Sequence, residues 1–214
     1  MTRHYSTWKK IRKVITTPSF RDMFFKDHVL IHINKTGGSS VEKALGLAFQ
    51  HRTAEEIRAI IGPARWERKF SFTFVRNPWS RVVSQYHYRV GINHADLQTE
   101  PLDFAQWVQR AYVEQEPRYY DKPRMFRTQM EWIADEDGTV MVDWIGCFER
   151  LHEDFRTLAA RLGKQAELPH LKKSKHRDYR EHYDEETRRI ISECYAPDIE
   201  TFGYRFSQNH RFPE

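Results

Sequence analysis

The chain contains, from residue 29 to residue 40, the stretch Val29-Leu30-Ile31-His32-Ile33-Asn34-Lys35-Thr36-Gly37-Gly38-Ser39-Ser40. Its apolar first part predicts a buried strand, and the apolar positions of residues 39–49 recur at helical spacing. Glycines allow backbone N–H groups to converge on an anion, and the N-terminal end of a helix is positively polarised. The stretch therefore predicts a strand, a phosphate-binding loop and a helix in direct succession.

A second strand and helix follow the same plan. The run Phe70-Ser71-Phe72-Thr73-Phe74-Val75 is aromatic and β-branched, and it is too short for a helix. It ends at Arg76-Asn77-Pro78, and proline is well tolerated in the first turn of a helix. We therefore predict a helix from Pro78 to about residue 89, with Arg76 at the end of the strand.

The remainder of the chain also alternates helix and strand patterns. Helices are predicted over residues 104–113, 126–133, 151–162 and 184–195, and an apolar strand over residues 140–148. Strands that alternate with helices favour an α/β domain with a mainly parallel sheet. Ligands of such sheets bind beyond the carboxyl ends of the strands, where Lys35 and Arg76 are expected to meet.

The composition favours one compact domain. The chain has 214 residues, enough to bury a sizeable core, and we predict a single domain over residues 1–214 with residues 1–27 as a basic N-terminal extension. Cys147 and Cys194 are too few for a disulfide scaffold and are expected to be buried thiols. The eleven histidines lack the spacing of a ligand set, so no metal is expected.

Charge and hydropathy limit the class of partner. The formal net charge of +5 fits both an ordinary soluble surface and a cleft that attracts an anion. No nucleic-acid-binding motif is present, so no nucleic acid partner is expected. Basic residues interrupt the apolar positions of the N-terminal region, so we expect no transmembrane or secretory segment and a cytoplasmic location. The oligomeric state is left open.

Several common phosphate-binding motifs are absent. The P-loop of nucleoside triphosphatases requires a glycine five residues before Gly-Lys-Ser/Thr, and the sequence around Lys35 does not supply it. The adjacent Gly37 and Gly38 do not form the dinucleotide fingerprint Gly-x-Gly-x-x-Gly. His176-Arg177-Asp178 resembles a kinase catalytic loop, yet the other kinase motifs do not accompany it.

A pair of motifs does match a known family. Residues 35–40 follow the first strand, and Arg76-Asn77-Pro78-Trp79-Ser80-Arg81-Val82-Val83-Ser84-Gln85-Tyr86 follows the second. Together they resemble the sulfotransferases that use 3′-phosphoadenosine 5′-phosphosulfate (PAPS). The similarity is nearest to the carbohydrate branch, which includes heparan sulfate 2-O-sulfotransferase and bacterial relatives, and it extends from about residue 28 to residue 206. It implies a three-layer α/β/α fold like that of P-loop nucleotide kinases, with PAPS as donor and no metal.

The resemblance also implies which residues bind the donor. The first loop would hold the 5′-phosphosulfate through Lys35, Thr36, Gly37, Gly38, Ser39 and Ser40. Arg76 and Ser84 would bind the 3′-phosphate, and Ser84 lies about two helical turns beyond the strand end on a similar azimuth. Ser174 and Lys175, in a charged segment near the C-terminus, would reach the 3′-phosphate or the ribose, although a solvated surface explains that segment equally well.

Catalysis would need a charge stabiliser and a base. Lys35 is placed to stabilise the charge that develops on the bridging oxygen as the sulfuryl group leaves. Histidine suits the removal of a proton from an acceptor hydroxyl near neutral pH. We prefer His51 as the base and hold His87 in reserve. The alternative is that His51 has no catalytic role and is only a loop histidine beside a helix that starts near Thr53. Arg81 would bind phosphate or steady the loop.

Two hypotheses remain from the sequence. The first is a PAPS-dependent sulfotransferase that acts on a hydroxyl group, expected to belong to a carbohydrate. The second is a module that binds a nucleotide or a polyanion without catalysis, which the basic charge alone would support.

Overall fold

The computed structural model describes residues 17–169 and 178–207, and within them three parallel strands form one sheet. The strands are β1 (His28–Ile31), β2 (Phe70–Val75) and β3 (Trp144–Cys147). β2 lies in the middle and pairs with both neighbours in parallel. The carboxyl ends of β1 and β2 therefore meet at one edge of the sheet, as the sequence predicts.

Helices precede the first strand, occupy the connections between the strands and follow the last one. In chain order they are α1 (Pro18–Phe25), α2 (Gly38–Leu45), α3 (Ala54–Ile61), α4 (Pro63–Trp66), α5 (Pro78–Gly91), α6 (Phe104–Val108), α7 (Met130–Ile133), α8 (Leu151–Arg161), α9 (Glu185–Cys194) and α10 (Ala196–Phe202). A π-helical turn, Gln109–Val113, continues α6. None of the helices in residues 17–169 and 178–207 has the length and apolar content needed to cross a bilayer.

The sheet buries side chains on both faces. Leu30 packs with Phe72 and Phe74 in one hydrophobic cluster, whereas Val29 and Ile31 belong to another. Because successive strand residues point to opposite faces, the two clusters lie on either side of the sheet. Helices α2 and α8 contribute to the first cluster, and α3, α5 and α9 contribute to the second. The α/β class with a parallel sheet is confirmed, while the nucleotide-kinase-like layout and the single domain over residues 1–214 stay predictions.

Two predicted elements are shorter in the structure. In place of a helix over residues 126–133, the chain forms a 3₁₀ turn, Pro123–Phe126, and then the single turn of α7. The buried carboxylate of Asp198 accepts hydrogen bonds from the backbone N–H groups of Gln129 (2.8 Å) and Met130 (2.9 Å), so a distant residue fixes where α7 begins. The strand predicted over residues 140–148 is reduced to β3.

The C-terminal region and one cysteine differ from the prediction. After α9, which ends at Cys194, a further helix α10 follows with Pro197 in its first turn, where its missing N–H group costs nothing. Cys147 is buried as expected, but Cys194 is exposed at the last position of α9. The expectation of two buried thiols is therefore wrong for Cys194.

Candidate active site

The loop after β1 turns sharply into α2. Lys35 has a φ of 68° and Gly37 a φ of 86°, so two left-handed residues reverse the chain within three positions. The Thr36 hydroxyl donates a hydrogen bond to the Ile33 carbonyl (2.9 Å), which makes Thr36 a support of the loop. Gly37 is the N-cap of α2 and provides no side-chain cap. The positively polarised start of α2 therefore faces the site without a capping side chain of its own.

Steric contacts explain both glycines of the loop. A Cβ atom on Gly38 would lie 2.1 Å from Cδ2 of His32, and one on Gly37 would lie 2.8 Å from Cδ2 of Leu151. The sequence analysis explains these glycines by anion binding. The structure adds a second reason, because neighbouring side chains occupy the positions where their Cβ atoms would lie. The loop is thus packed against β1 and α8 as well as shaped for an anion.

We predict that Gly38→Ala destabilises the protein by about 1–3 kcal/mol, the usual cost of overpacking. The His32 ring would have to move, and its hydrogen bond to Glu42 (2.9 Å) resists that movement. Urea unfolding of the variant measures the loss. The matched control is Gly91→Ala, where an added Cβ meets no atom within 4 Å. Equal unfolding free energies for the two variants would contradict the steric account.

Lys35 lies between the two motifs. Its carbonyl oxygen accepts a hydrogen bond from Nη1 of Arg76 (3.1 Å). Its ammonium group lies 4.4 Å from the centroid of the Tyr88 ring, within cation–π range. Burial, together with the nearby charge of Arg76, lowers the pKa of Lys35 to about 8. Lys35 of the first loop and Arg76 at the end of β2 therefore form one cationic site.

Arg76 leaves the end of β2 and is held on several sides. Its Nε and Nη2 atoms donate to the Ser80 hydroxyl (3.1 and 2.8 Å), and its guanidinium group lies 4.0 Å from the centroid of the Phe148 ring. The Gln129 side chain binds both its backbone N–H (2.8 Å) and its carbonyl (2.9 Å). Burial lowers the pKa of Arg76 to about 10, so the group stays cationic at neutral pH.

Ser84, which we predict to bind the 3′-phosphate together with Arg76, lies one helical turn beyond Ser80. Ser80 accepts from Arg76, and Ser84 is half-buried four residues later on α5. Residues at i and i+4 lie on the same face of a helix, so both hydroxyl groups lie on one side of α5. Sequence reasoning missed Ser80, although its position in the first turn of the helix after Arg76 was a usable signal.

Arg81 steadies the loop. Its side chain is almost fully buried, and it donates to the Asn34 carbonyl (3.2 Å), to Oδ1 of Asn34 (2.7 Å) and to the Arg127 carbonyl (3.0 Å). These acceptors belong to the chain immediately before Lys35 and to the segment before α7. Of the two roles that the sequence leaves open for Arg81, the described contacts favour the structural one.

His51 is close to the end of β1. Its Nδ1 lies 2.7 Å from the His32 carbonyl oxygen, which only accepts, so Nδ1 carries the proton and Nε2 carries the lone pair of the neutral ring. The rings of Phe49 and Trp132 lie 4.8 and 5.9 Å from the His51 ring. Burial is the main cause that lowers the pKa of His51, and the hydrogen bond to His32 acts in the opposite direction.

The other predicted residues are distributed as follows. Ser39 is exposed and Ser40 is buried in the first turn of α2. Nε2 of His87, the reserve base, lies 3.4 Å from Nε2 of His182, so α5 contacts the 3₁₀ turn Tyr179–His182. Ser174 and Lys175 lie outside the described residues.

Acidic, histidine and cysteine side chains are the usual metal ligands of proteins. Within residues 17–169 and 178–207, no three of them converge in a way that would hold a metal ion. The cationic groups of Lys35 and Arg76 instead suit an anionic ligand at the carboxyl ends of β1 and β2.

Comparison with known proteins gives the family. The sulfotransferase family matches residues 7–205, a range that includes both loops and all three strands. An uncharacterized protein of Archaeoglobus fulgidus is 29% identical over 113 residues, which are 52% of this chain and 82% of that protein. No solved structure matches the chain. The family match covers far more than half of the sequence, and the chain belongs to the sulfotransferase family.

Proposed function

We propose that this sulfotransferase moves a sulfuryl group from PAPS to a hydroxyl group of a carbohydrate. The hydrogen bond between Nη1 of Arg76 and the Lys35 carbonyl (3.1 Å) carries the proposal. It joins the phosphosulfate loop and the 3′-phosphate motif at one edge of the sheet, as a donor with phosphate groups at both positions would require. The family match supports the general reaction.

The residues present fit such a donor. PAPS carries negative charge at its 5′-phosphosulfate and at its 3′-phosphate. Lys35 and Arg76 supply two cations, and the start of α2 adds backbone N–H groups and the exposed Ser39. The Phe148 ring behind Arg76 leaves the guanidinium edge to form hydrogen bonds.

We propose a separate catalytic role for Lys35 and for His51. When bound, the donor supplies the sulfuryl group, whose bond to the 5′-phosphate oxygen breaks as the bond to the acceptor oxygen forms. The Lys35 ammonium group stabilises the negative charge left on the phosphate oxygen. Nε2 of His51 takes the proton of the acceptor hydroxyl, since its Nδ1 is already bound to the His32 carbonyl.

Arg76 has the second role, recognition of the 3′-phosphate. Its guanidinium group is preorganised by Ser80 and by the Lys35 carbonyl. Ser84, one turn further along α5, would add a hydroxyl donor to the same phosphate. Ser80 joins this set as a residue that orients Arg76.

Exposed aromatic rings support a carbohydrate acceptor. Phe49, whose side chain is 63% exposed, lies beside His51, and Tyr88, which is 53% exposed, lies beside Lys35. Sites for small molecules are commonly lined by hydrophobic and aromatic side chains with a few polar groups. We therefore propose that Phe49 and Tyr88 contact the apolar faces of the sugar.

Calorimetry tests the donor site. Adenosine 3′,5′-bisphosphate is expected to bind about 10- to 100-fold more tightly than 5′-AMP, because a hydrogen bond to a charged group contributes about 1.5–3 kcal/mol. Arg76→Ala should remove most of that preference and change the affinity for 5′-AMP little. Arg156→Ala, which removes an exposed arginine of α8, is the control. Equal affinities for the two nucleotides in the unaltered protein would overturn the assignment.

A further inference from the structure

A buried hydrogen-bonded pair connects the end of β1 to α2. Nδ1 of His32 lies 2.9 Å from Oε1 of Glu42, and each residue is only 4% exposed. His32 follows the last residue of β1, and Glu42 lies in the second turn of α2. The pair therefore fixes the strand end to the helix that carries the donor loop.

His32 contacts both halves of the candidate site. Its ring fills the space where a side chain of residue 38 would otherwise lie. Its centroid is 4.4 Å from that of the His51 ring, and its carbonyl accepts the His51 Nδ1–H (2.7 Å). One residue thus lies against the donor loop and against the base.

Glu42 contacts both His32 and the segment that leads into His51. Oε1 of Glu42 also accepts from the backbone N–H of Gln50 (3.3 Å), the residue before His51. Arg124 also lies close to His51: it donates to the His51 carbonyl (2.6 Å) and is paired with Glu56. Burial is the main cause that lowers the pKa of His51. The His32 ring and Arg124 lower it further, whereas the hydrogen bond to the His32 carbonyl and the charge of Glu42 raise it.

A gain in folding stability does not by itself explain the buried pair of His32 and Glu42. Taking a carboxylate out of water costs several kcal/mol, and well-packed apolar residues often stabilise a core as well as a buried polar pair does. A buried pair of this kind can instead fix one arrangement among several, as hydrogen-bonded partners of metal-bound histidines do. The contacts of His32 and Glu42 with the donor loop and with His51 match that role.

We propose that His32 and Glu42 are positioning residues that hold the base His51 in its reactive tautomer and in fixed register with the donor loop. This inference rests on the proposed function of His51. The pair acts through contacts on His51 and on Gly38, and neither residue needs to touch the substrate.

The test uses Glu42→Gln, because a glutamine Oε1 can still accept from His32 and Gln50 while the negative charge is lost. Long-range ¹H–¹⁵N spectra of the imidazole groups report the titration and the tautomer of His51 without any acceptor. We expect His51 to titrate at lower pH in Glu42→Gln, because the charge of Glu42 raises the pKa of His51. The control is Glu55→Gln, which removes an exposed carboxylate from α3.

Transfer rates give the second readout. We expect Glu42→Gln to lower kcat/KM by about tenfold, as for partners of metal-bound histidines, and to add much less when His51 is already alanine. Unchanged titration of His51 in a folded Glu42→Gln protein would overturn the proposal. So would a double variant whose loss of kcat/KM equals the product of the losses in Glu42→Gln and His51→Ala, because the two residues would then act independently. If the unaltered protein binds no donor but the His51 titration still shifts, the proposed function fails while the coupling of Glu42 to His51 stands.

Discussion

His51→Ala is expected to reduce kcat/KM for sulfuryl transfer by about 10²–10⁴, the usual contribution of a general base. The acceptor hydroxyl would then lose its proton to water, while the donor site at Lys35 and Arg76 stays intact. Donor affinity should therefore change little, and this separates loss of the base from loss of the fold. Steady-state rates with radiolabelled PAPS and calorimetry with adenosine 3′,5′-bisphosphate measure the two quantities.

The pH profile makes the role of His51 more specific. A base must be neutral to accept a proton, so kcat/KM should rise as the pH passes the pKa of His51. Burial lowers that pKa from its ordinary value of 6.5, so the rise is expected below pH 6.5 and should be absent in His51→Ala. His152→Ala, at an exposed position of α8, is the control. An equal loss of activity in His87→Ala, with His51→Ala fully active, would assign the base to His87.

Lys35→Ala is expected to lower kcat by about 10²–10³, similar to the loss of one preorganised oxyanion donor. The ammonium group would no longer stabilise the charge on the leaving phosphate oxygen. Lys43→Ala, which removes an exposed lysine from the adjacent helix α2, should retain near-normal kcat. Single-turnover rates at saturating donor separate this effect from weaker binding. A kcat that is unchanged in Lys35→Ala would remove Lys35 from the mechanism.

The charge of Lys35 also predicts an alkaline limb. With a pKa of about 8 in the free protein, Lys35 is protonated below pH 8 and loses its charge above it. The value of kcat/KM should therefore fall above about pH 8. Lys35→Arg keeps the charge at higher pH, so its profile should extend further into the alkaline range even if its maximum is lower. An alkaline limb at the same pH in both proteins would point to another group.

Much of the site's framework could be predicted because its signals are local. The apolar runs that end at Ile31 and Val75 give β1 and β2, and Pro78 marks the start of α5. The helix indicated over residues 39–49 is observed as α2, Gly38–Leu45, with Gly37 and not a serine as its N-cap. The capping box of Thr53 and Glu56 likewise starts α3 where the sequence suggests. Since these elements depend on neighbouring residues, short sequence patterns locate them.

The rest depends on contacts between distant residues. Asp198 sets the start of α7 from 69 positions away, and Gln129 holds Arg76 from 53 positions away. His32 and Glu42 lie on different elements, ten residues apart, and they meet only because the loop between them reverses the chain. The sequence leaves the role of Arg81 open for the same reason, since its acceptors lie on Asn34 and Arg127.

The most direct test is transfer itself. The unaltered protein should be incubated with ³⁵S-labelled PAPS and a panel of neutral sugars, hexosamine- and uronate-containing oligosaccharides, and simple alcohols and phenols. The account predicts that label appears in at least one saccharide and that an equal amount of adenosine 3′,5′-bisphosphate is released. Label that remains on the bound donor with every acceptor of the panel would contradict catalysis and favour a nucleotide-binding module, whereas label found only in the alcohols or phenols would contradict the carbohydrate acceptor.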